Sequence, residues 1–271
     1  MVNTLSIVFM IVSILICFLL PIGLTIYFYR KHKISLIVVL FGAIVFFVSQ
    51  IAIRIPLLSI LAKQQWYIDM SSNIYVLALF LALTAGIFEE VGRYIVMKLF
   101  MKKSLNWKSG IAFGIGHGGI EAMIIVGLTL INYVVISIMI NSGLFDNVIA
   151  ATMAPEIAEQ IRTTLVDTPT VNFLGGGFER TMTIIIQIAF SIMVLYAVKF
   201  KKPVYLLYAI LLHAVVDAPT VVLVSMGLNV WIIELFIAAC AAVALIYIIK
   251  TKSIFAKEDE KQKEVQTQTL E

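Results

Sequence analysis

Residues 73–101 read NIYVLALFLALTAGIFEEVGRYIVMKLFM. The run is long enough to cross a bilayer, because a membrane helix needs roughly 20 apolar residues. Its middle nevertheless carries Glu89, Glu90 and Arg93 among Ile, Val, Leu, Phe and Ala. An ionisable side chain at the centre of a bilayer costs on the order of 3 kcal/mol even on lenient insertion scales. Two later apolar runs break the same rule, with His117 and Glu121 in one and His213 and Asp217 in the other. Seven such residues on three helices mark a polar site rather than accidents of packing.

The rest of the chain agrees with a membrane setting. It is 61% hydrophobic and 13% charged, where a soluble domain would be about half apolar and a quarter charged. Seven spans are predicted, at about 4–29, 34–60, 73–101, 107–141, 177–199, 203–224 and 229–250. The fold class is therefore all-α, a polytopic transmembrane helix bundle. Residues 1–250 form one integral membrane domain, with a motif core at about 73–224. The first span lacks a positively charged start and an Ala-x-Ala site, so it reads as an uncleaved span. Cys17 and Cys240 lie in apolar runs and read as buried thiols.

Lysine and arginine set the orientation. Arg30, Lys31, Lys33, Lys98, Lys102, Lys103, Lys108, Lys199, Lys201, Lys202 and the C-terminal lysines fall on one side. The other side holds Lys63 and Arg162. The expectation is a multi-pass protein of a bacterial cytoplasmic membrane, N-terminus outside and C-terminus in the cytoplasm. The net charge of +4 thus speaks to topology and to membrane lipid as a partner, and no nucleic-acid partner is expected. Residues 251–271, rich in Lys, Glu, Gln and Thr, are expected to form a disordered cytoplasmic tail. Residues 142–176 form an external loop, in which Pro155, Ile157, Ile161 and Leu165 predict a short amphipathic helix ending near Asp167. Gly175, Gly176 and Gly177 are expected to turn the chain sharply into the fifth span.

A rise of about 1.5 Å per residue sets the depths. Glu89 lies about 20 Å along its helix from Lys102, His117 about 14 Å from Lys108, and His213 about 17 Å from Lys202. Three helices thus bring their polar groups to one layer. Glu89 and Arg93, His117 and Glu121, and His213 and Asp217 are each four residues apart, so each pair shares a helix face. Such faces turn away from lipid and toward each other. Gly114, Gly116, Gly118 and Gly119 around His117 suit either close helix packing or close approach of a substrate backbone. Glu179 and Arg180 read as an interfacial ion pair, with a gate or clamp over the cavity as the alternative. Arg54 and Glu234 stand singly near span ends and read as snorkelling.

Hydrolysis needs an activated water, a proton carrier and donors for a developing oxyanion. Glu89 or Glu90 can act as base, His117 can share the water or pass protons, and His213 with Asp217 can face the oxyanion. Arg93 can hold its neighbouring carboxylate. Alternatively His117, Glu121, His213 and Asp217 offer ligands for zinc with a position left for water. Ion- or proton-coupled transport and a purely structural network use the same residue types, so the residues alone leave the function open.

Glu-Glu-x-x-Arg at 89–93, Phe113-x-x-x-His117 and His213-x-x-x-Asp217 together resemble the membrane-embedded CAAX protease and bacteriocin-processing superfamily. Within it the match is best to the bacterial YhfC family of intramembrane metalloproteases, which the stretches His117–Ala122 and Gly176–Arg180 resemble as well. The resemblance covers the third to sixth spans. It implies an intramembrane peptidase acting on a peptide or membrane-protein substrate. Glu89, Glu90, His117 and His213 would be catalytic, and Arg93, Glu121 and Asp217 supporting. Members of the superfamily differ over metal, and zinc is the candidate here. Arg93 follows the glutamates after two residues, where the superfamily usually has three. A self-immunity protein that kept the fold without catalysis is a further alternative.

Overall fold

The structure, a computed structural model, describes residues 1–268. It is all-helical, with no strand among the described residues. Among the described residues, seven helices are long and apolar enough to cross a membrane. They are α1 (Thr4–His32), α2 (Leu36–Leu61), α3 (Ile74–Phe100), α4 (Trp107–Asn141), then α6, α7 and α8. Between α4 and α6 lies α5 (Pro155–Asp167), followed by α6 (Gly175–Lys199), α7 (Val204–Ser225) and α8 (Val230–Gln268). Side chains start several of these. Asn3 accepts from the Leu5 N–H, Asn73 from Tyr75 and Val76, and Asn106 from Ser109. Each asparagine satisfies donors that the first helical turn leaves free.

The first half of α4 is the centre of the bundle, and α2, α6 and α1 pack around it. Residues Ser109 to Gly119 are all buried. A helix hidden on every side has no polar face, and its glycines decide how close the neighbours come. A Cβ on Gly116 would sit 1.9 Å from the Val39 carbonyl oxygen, and one on Gly42 would sit 2.0 Å from that of Phe113. A Cβ on Gly114 would meet Ile188 Cα at 2.4 Å. The glycines around His117 therefore serve helix packing, and their effect is to hold His117 rigidly. Gly116→Val is expected to force α2 away from α4 at a cost of about 3 kcal/mol, the upper part of the overpacking range. Thermal unfolding in detergent checks this against Gly23→Ala, where an added Cβ meets nothing within 4 Å. Equal stability of the two variants would contradict this packing.

Three sequence expectations need correction. Residues 251–268 are not disordered, because α8 runs on to Gln268. That stretch holds no Gly or Pro and many good helix formers, and Phe255 anchors it, fully buried against Tyr196 and Phe200. Lys199 pairs with Asp259 beyond it. Residues 269–271 of the expected tail lie outside the described residues. Gly175–Gly177 make no turn; they are the first turn of α6. A Cβ on Gly177 would meet Ser13 Oγ of α1 at 2.9 Å, one on Gly176 Val126 of α4 at 3.0 Å and one on Gly175 Val230 of α8 at 3.3 Å, so the run lets three helices close on the start of α6. Arg54 and Glu234 do not snorkel. Glu234 is buried beside Gly175, and Arg54 turns inward to donate to the Leu81 carbonyl at 2.6 Å.

Candidate active site

The three polar layers meet. Glu89 Oε2 lies 2.8 Å from His117 Nε2, 3.3 Å from Arg93 Nη2 and 3.9 Å from His213 Nε2. His213 Nδ1 is 2.9 Å from Glu90 Oε1, and its Nε2 is 3.4 Å from Asp217 Oδ2. Arg93 Nε lies 3.2 Å from Glu90 Oε2. Every one of these groups except Asp217 is buried, and Asp217 is 40% exposed on its side chain. Phe190 stacks on the His213 ring and Phe46 meets the His117 ring edge-on. Aromatic walls of this kind hold both imidazoles in place.

A cavity of about 420 Å³ opens on one side of the cluster. Glu89, Glu121, His213, Asp217, Glu179 and Arg180 line it. His117, Glu90 and Arg93 are not among its walls. His117 thus stands behind Glu89 and cannot share a cavity water directly. Glu121 is separated from the cluster as well. It accepts from Arg180 Nη1 at 2.7 Å and from Gln187 Nε2 at 2.8 Å. Arg180 also donates to Glu179. Of the four zinc ligands the sequence suggests, His117, Glu121, His213 and Asp217, only His213 belongs to the group whose geometry suits a metal.

Two spans contribute residues that the sequence reading missed. Gln50 and Arg54 come from α2, which widens into π-type turns over Phe47–Arg54. Such turns recur at functional sites, and α4 widens likewise over Ala122–Gly127, directly after Glu121. Gln50 Nε2 donates to Glu89 Oε1, while Gln50 Oε1 accepts from Arg54 Nη1 at 2.9 Å. On the opposite side, Gln187 of α6 donates through Nε2 to Glu89 at 3.4 Å and accepts at Oε1 from Arg93. Arg93 also donates to Ser191 Oγ at 2.6 Å and to the Gln187 carbonyl at 3.0 Å. Each glutamine has its carbonyl taken by an arginine, so each must turn its NH₂ toward Glu89.

A family model described as YhfC intramembrane metalloprotease matches residues 16–237. The chain belongs to the YhfC family. The matched range contains every cluster residue, from Gln50 to Asp217. The uncharacterized membrane protein YhfC of Bacillus subtilis (strain 168) is 39% identical over 263 residues, covering 94% of this chain and 100% of that protein. No solved structure matches the chain. The YhfC family name implies a metal, and the cluster can be tested for one. Glu89, Glu90 and His213 each offer a ligand atom, and these atoms all lie within 4.8 Å of one another. Two buried carboxylates face one guanidinium here, and the second positive charge that balances them can come from a metal ion or from a protonated His213. A nitrogen and two carboxylates suit a divalent cation of the zinc type. The residues fit.

Proposed function

We propose that this bacterial multi-pass membrane protein is an intramembrane peptidase of the CAAX protease and bacteriocin-processing type, with Glu89 as the base that activates water. One observation carries the reading. Glu89 reaches the cavity and is also gripped from behind by donors on its own helix and on α2, α4 and α6. Each carboxylate oxygen is held, so the base meets a water in the cavity without reorganising, which is where electrostatic preorganisation lowers a barrier.

In this reading a cavity water adds its oxygen to the carbonyl carbon of a peptide bond at or near the bilayer, and its proton passes to Glu89. His213, braced by Glu90 and Asp217, donates toward the oxygen on which negative charge develops. The carbon–nitrogen bond then breaks, and the departing amine takes the proton that Glu89 holds. Glu90 and Arg93 position the base, and His117 fixes the Glu89 carboxylate from the buried side. Glu89, Glu90 and His213 would hold a metal ion in place of these hydrogen-bonding roles, and the ion would then polarise a carbonyl and make a bound water more acidic. Peptide or membrane-protein substrates enter from the lipid or through the end of the bundle bearing Glu179 and Arg180. The lysine-rich end faces the cytoplasm.

Profiling of membrane-protein termini tests the proposal. Cells producing the wild type are expected to show new cleavage fragments that cells producing equal amounts of Glu89→Gln lack. Identical fragment sets would overturn it. The line of polar groups from Glu179 through Arg180, Glu121 and Gln187 to Glu89 favours a second reading, as an ion- or proton-coupled carrier. Identical fragment sets together with Glu89-dependent ion flux in proteoliposomes would select it.

A further inference from the structure

A second cavity, of about 900 Å³, lies at the lysine-rich end of the bundle, apart from the cluster and independent of the peptidase reading. Lys33, Lys102, Lys103, Lys108, Lys199 and Lys252 line it. They come from four separate segments: the α1–α2 link, the α3–α4 link with the start of α4, the end of α6, and α8. Among the described residues lining it, Asp259 is the one carboxylate, and Lys199 occupies it. Lys199 also donates to the Leu105 carbonyl at 2.9 Å. Five other lysines thus surround a space whose walls offer no second countercharge.

Lysines that serve only to orient a membrane protein can point separately into water. Here they line one concavity, where a bound anion would relieve their mutual repulsion. The walls also supply donors. Helix α2 begins behind Ser35, whose side chain makes no cap. Helix starts concentrate unpaired N–H groups suited to phosphate oxygens. The lining also includes Trp107, which is partly exposed, above the buried Ile34 and Phe255. Trp107 donates Nε1 to the Ile248 carbonyl at 3.0 Å and carries Lys252 5.5 Å over its ring. A tryptophan at the end of a span, beside lysines, is a residue pair of the headgroup layer.

We infer that this cavity binds the phosphate headgroup of an anionic phospholipid. The phosphate sits among the lysines, and the glycerol and the start of the acyl chains lie against Trp107 and the alkyl stems of the lysines. The volume exceeds what a bare phosphate fills, and the position at the span ends is where the lipid phosphates are.

Native mass spectrometry of the full chain in detergent tests this, with phosphatidylglycerol titrated against phosphatidylcholine. The wild type is expected to retain phosphatidylglycerol at about tenfold lower concentration, as expected for several lysines acting near an anionic surface. Lys33→Gln combined with Lys102→Gln and Lys252→Gln should erase that preference. All three side chains are exposed, so the fold should tolerate the change. Lys103→Gln with Lys108→Gln provides a second, independent set with a smaller loss. Lys63→Gln, at the far end of α2, should leave the preference intact. Equal retention of both lipids by the wild type, or an unchanged preference in both lysine sets, overturns the inference. Displacement of the lipid by millimolar inorganic phosphate would overturn the lipid assignment.

Discussion

Glu89→Gln is expected to lower cleavage by about 10²- to 10⁴-fold, the usual worth of a positioned acid–base group. The substitution is nearly isosteric, but it inverts the hydrogen bonding at one atom. The new amide must direct its NH₂ toward donors on one side. At the Oε1 position it would face Gln50 Nε2, and Gln50 cannot simply rotate, because its NH₂ would then face Arg54 Nη1. At the Oε2 position it would face His117 and Arg93. Some stability is therefore lost together with activity, and a control must separate the two. Gln50→Glu added to Glu89→Gln supplies it. The carboxylate moves across the hydrogen bond to position 50, accepts from the amide at 89, and gains Arg54 as an ionic partner. The double variant should recover much of the lost thermal stability while cleavage stays absent. Recovery of cleavage in the double variant, or wild-type cleavage in the single one, would remove Glu89 as the base.

The bundle was legible because the bilayer imposes a length rule that composition alone can satisfy. The boundaries at the lysine-rich end, that of α8 excepted, follow from where about 20 apolar residues end and lysines begin. The cluster was legible where charges sit mid-span at four-residue spacing, as Glu89 with Arg93 and His213 with Asp217 do. The missed residues obey the same spacing. Gln50 with Arg54 and Gln187 with Ser191 are also four apart in apolar runs. Counting uncharged amides and hydroxyls as site residues would have found both pairs. Arg54 was misplaced because a single charge near a span end suits snorkelling, whereas here, at the end of the widened turns of α2, it donates to the Leu81 carbonyl. Which carboxylate meets the cavity was not legible, because helical phase separates Glu89 from Glu90 by about 100° without saying which side faces α2. The continuation of α8 was hidden by its composition. Lys, Glu and Gln suit both a solvated coil and a solvated helix, and only the burial of Phe255 among the rings of α6 decides between them.

Arg93→Met is expected to destabilise the protein by about 3–5 kcal/mol, the range for breaking a buried ion pair by removing one partner. The side chain is fully buried, and methionine matches its bulk without its charge. Its loss leaves Glu89 and Glu90 uncompensated and strips donors from Gln187 and Ser191. Three of the helices that build the cluster, α3, α6 and, through Glu90 and His213, α7, are joined by this one guanidinium. Lysine cannot replace it well. It offers three donors from one point, whereas Arg93 reaches Glu89, Glu90, Ser191 and both oxygens of Gln187 from a planar fork. Arg93→Lys should therefore recover part of the stability and little of the activity. Adding Glu90→Gln to Arg93→Met removes one negative charge along with the positive one, so the pair should show a coupling of about 1–3 kcal/mol. Denaturant unfolding in mixed micelles measures the wild type, Arg93→Met, Glu90→Gln and the double variant, with Arg93→Lys as a fifth protein. If Arg93→Met unfolds within about 1 kcal/mol of the wild type, a figure well below the range for a broken buried pair, the guanidinium is not what neutralises the two glutamates. Coupling near zero would mean that Glu90 finds its countercharge elsewhere, with His213 Nδ1 at 2.9 Å the nearest group able to supply it.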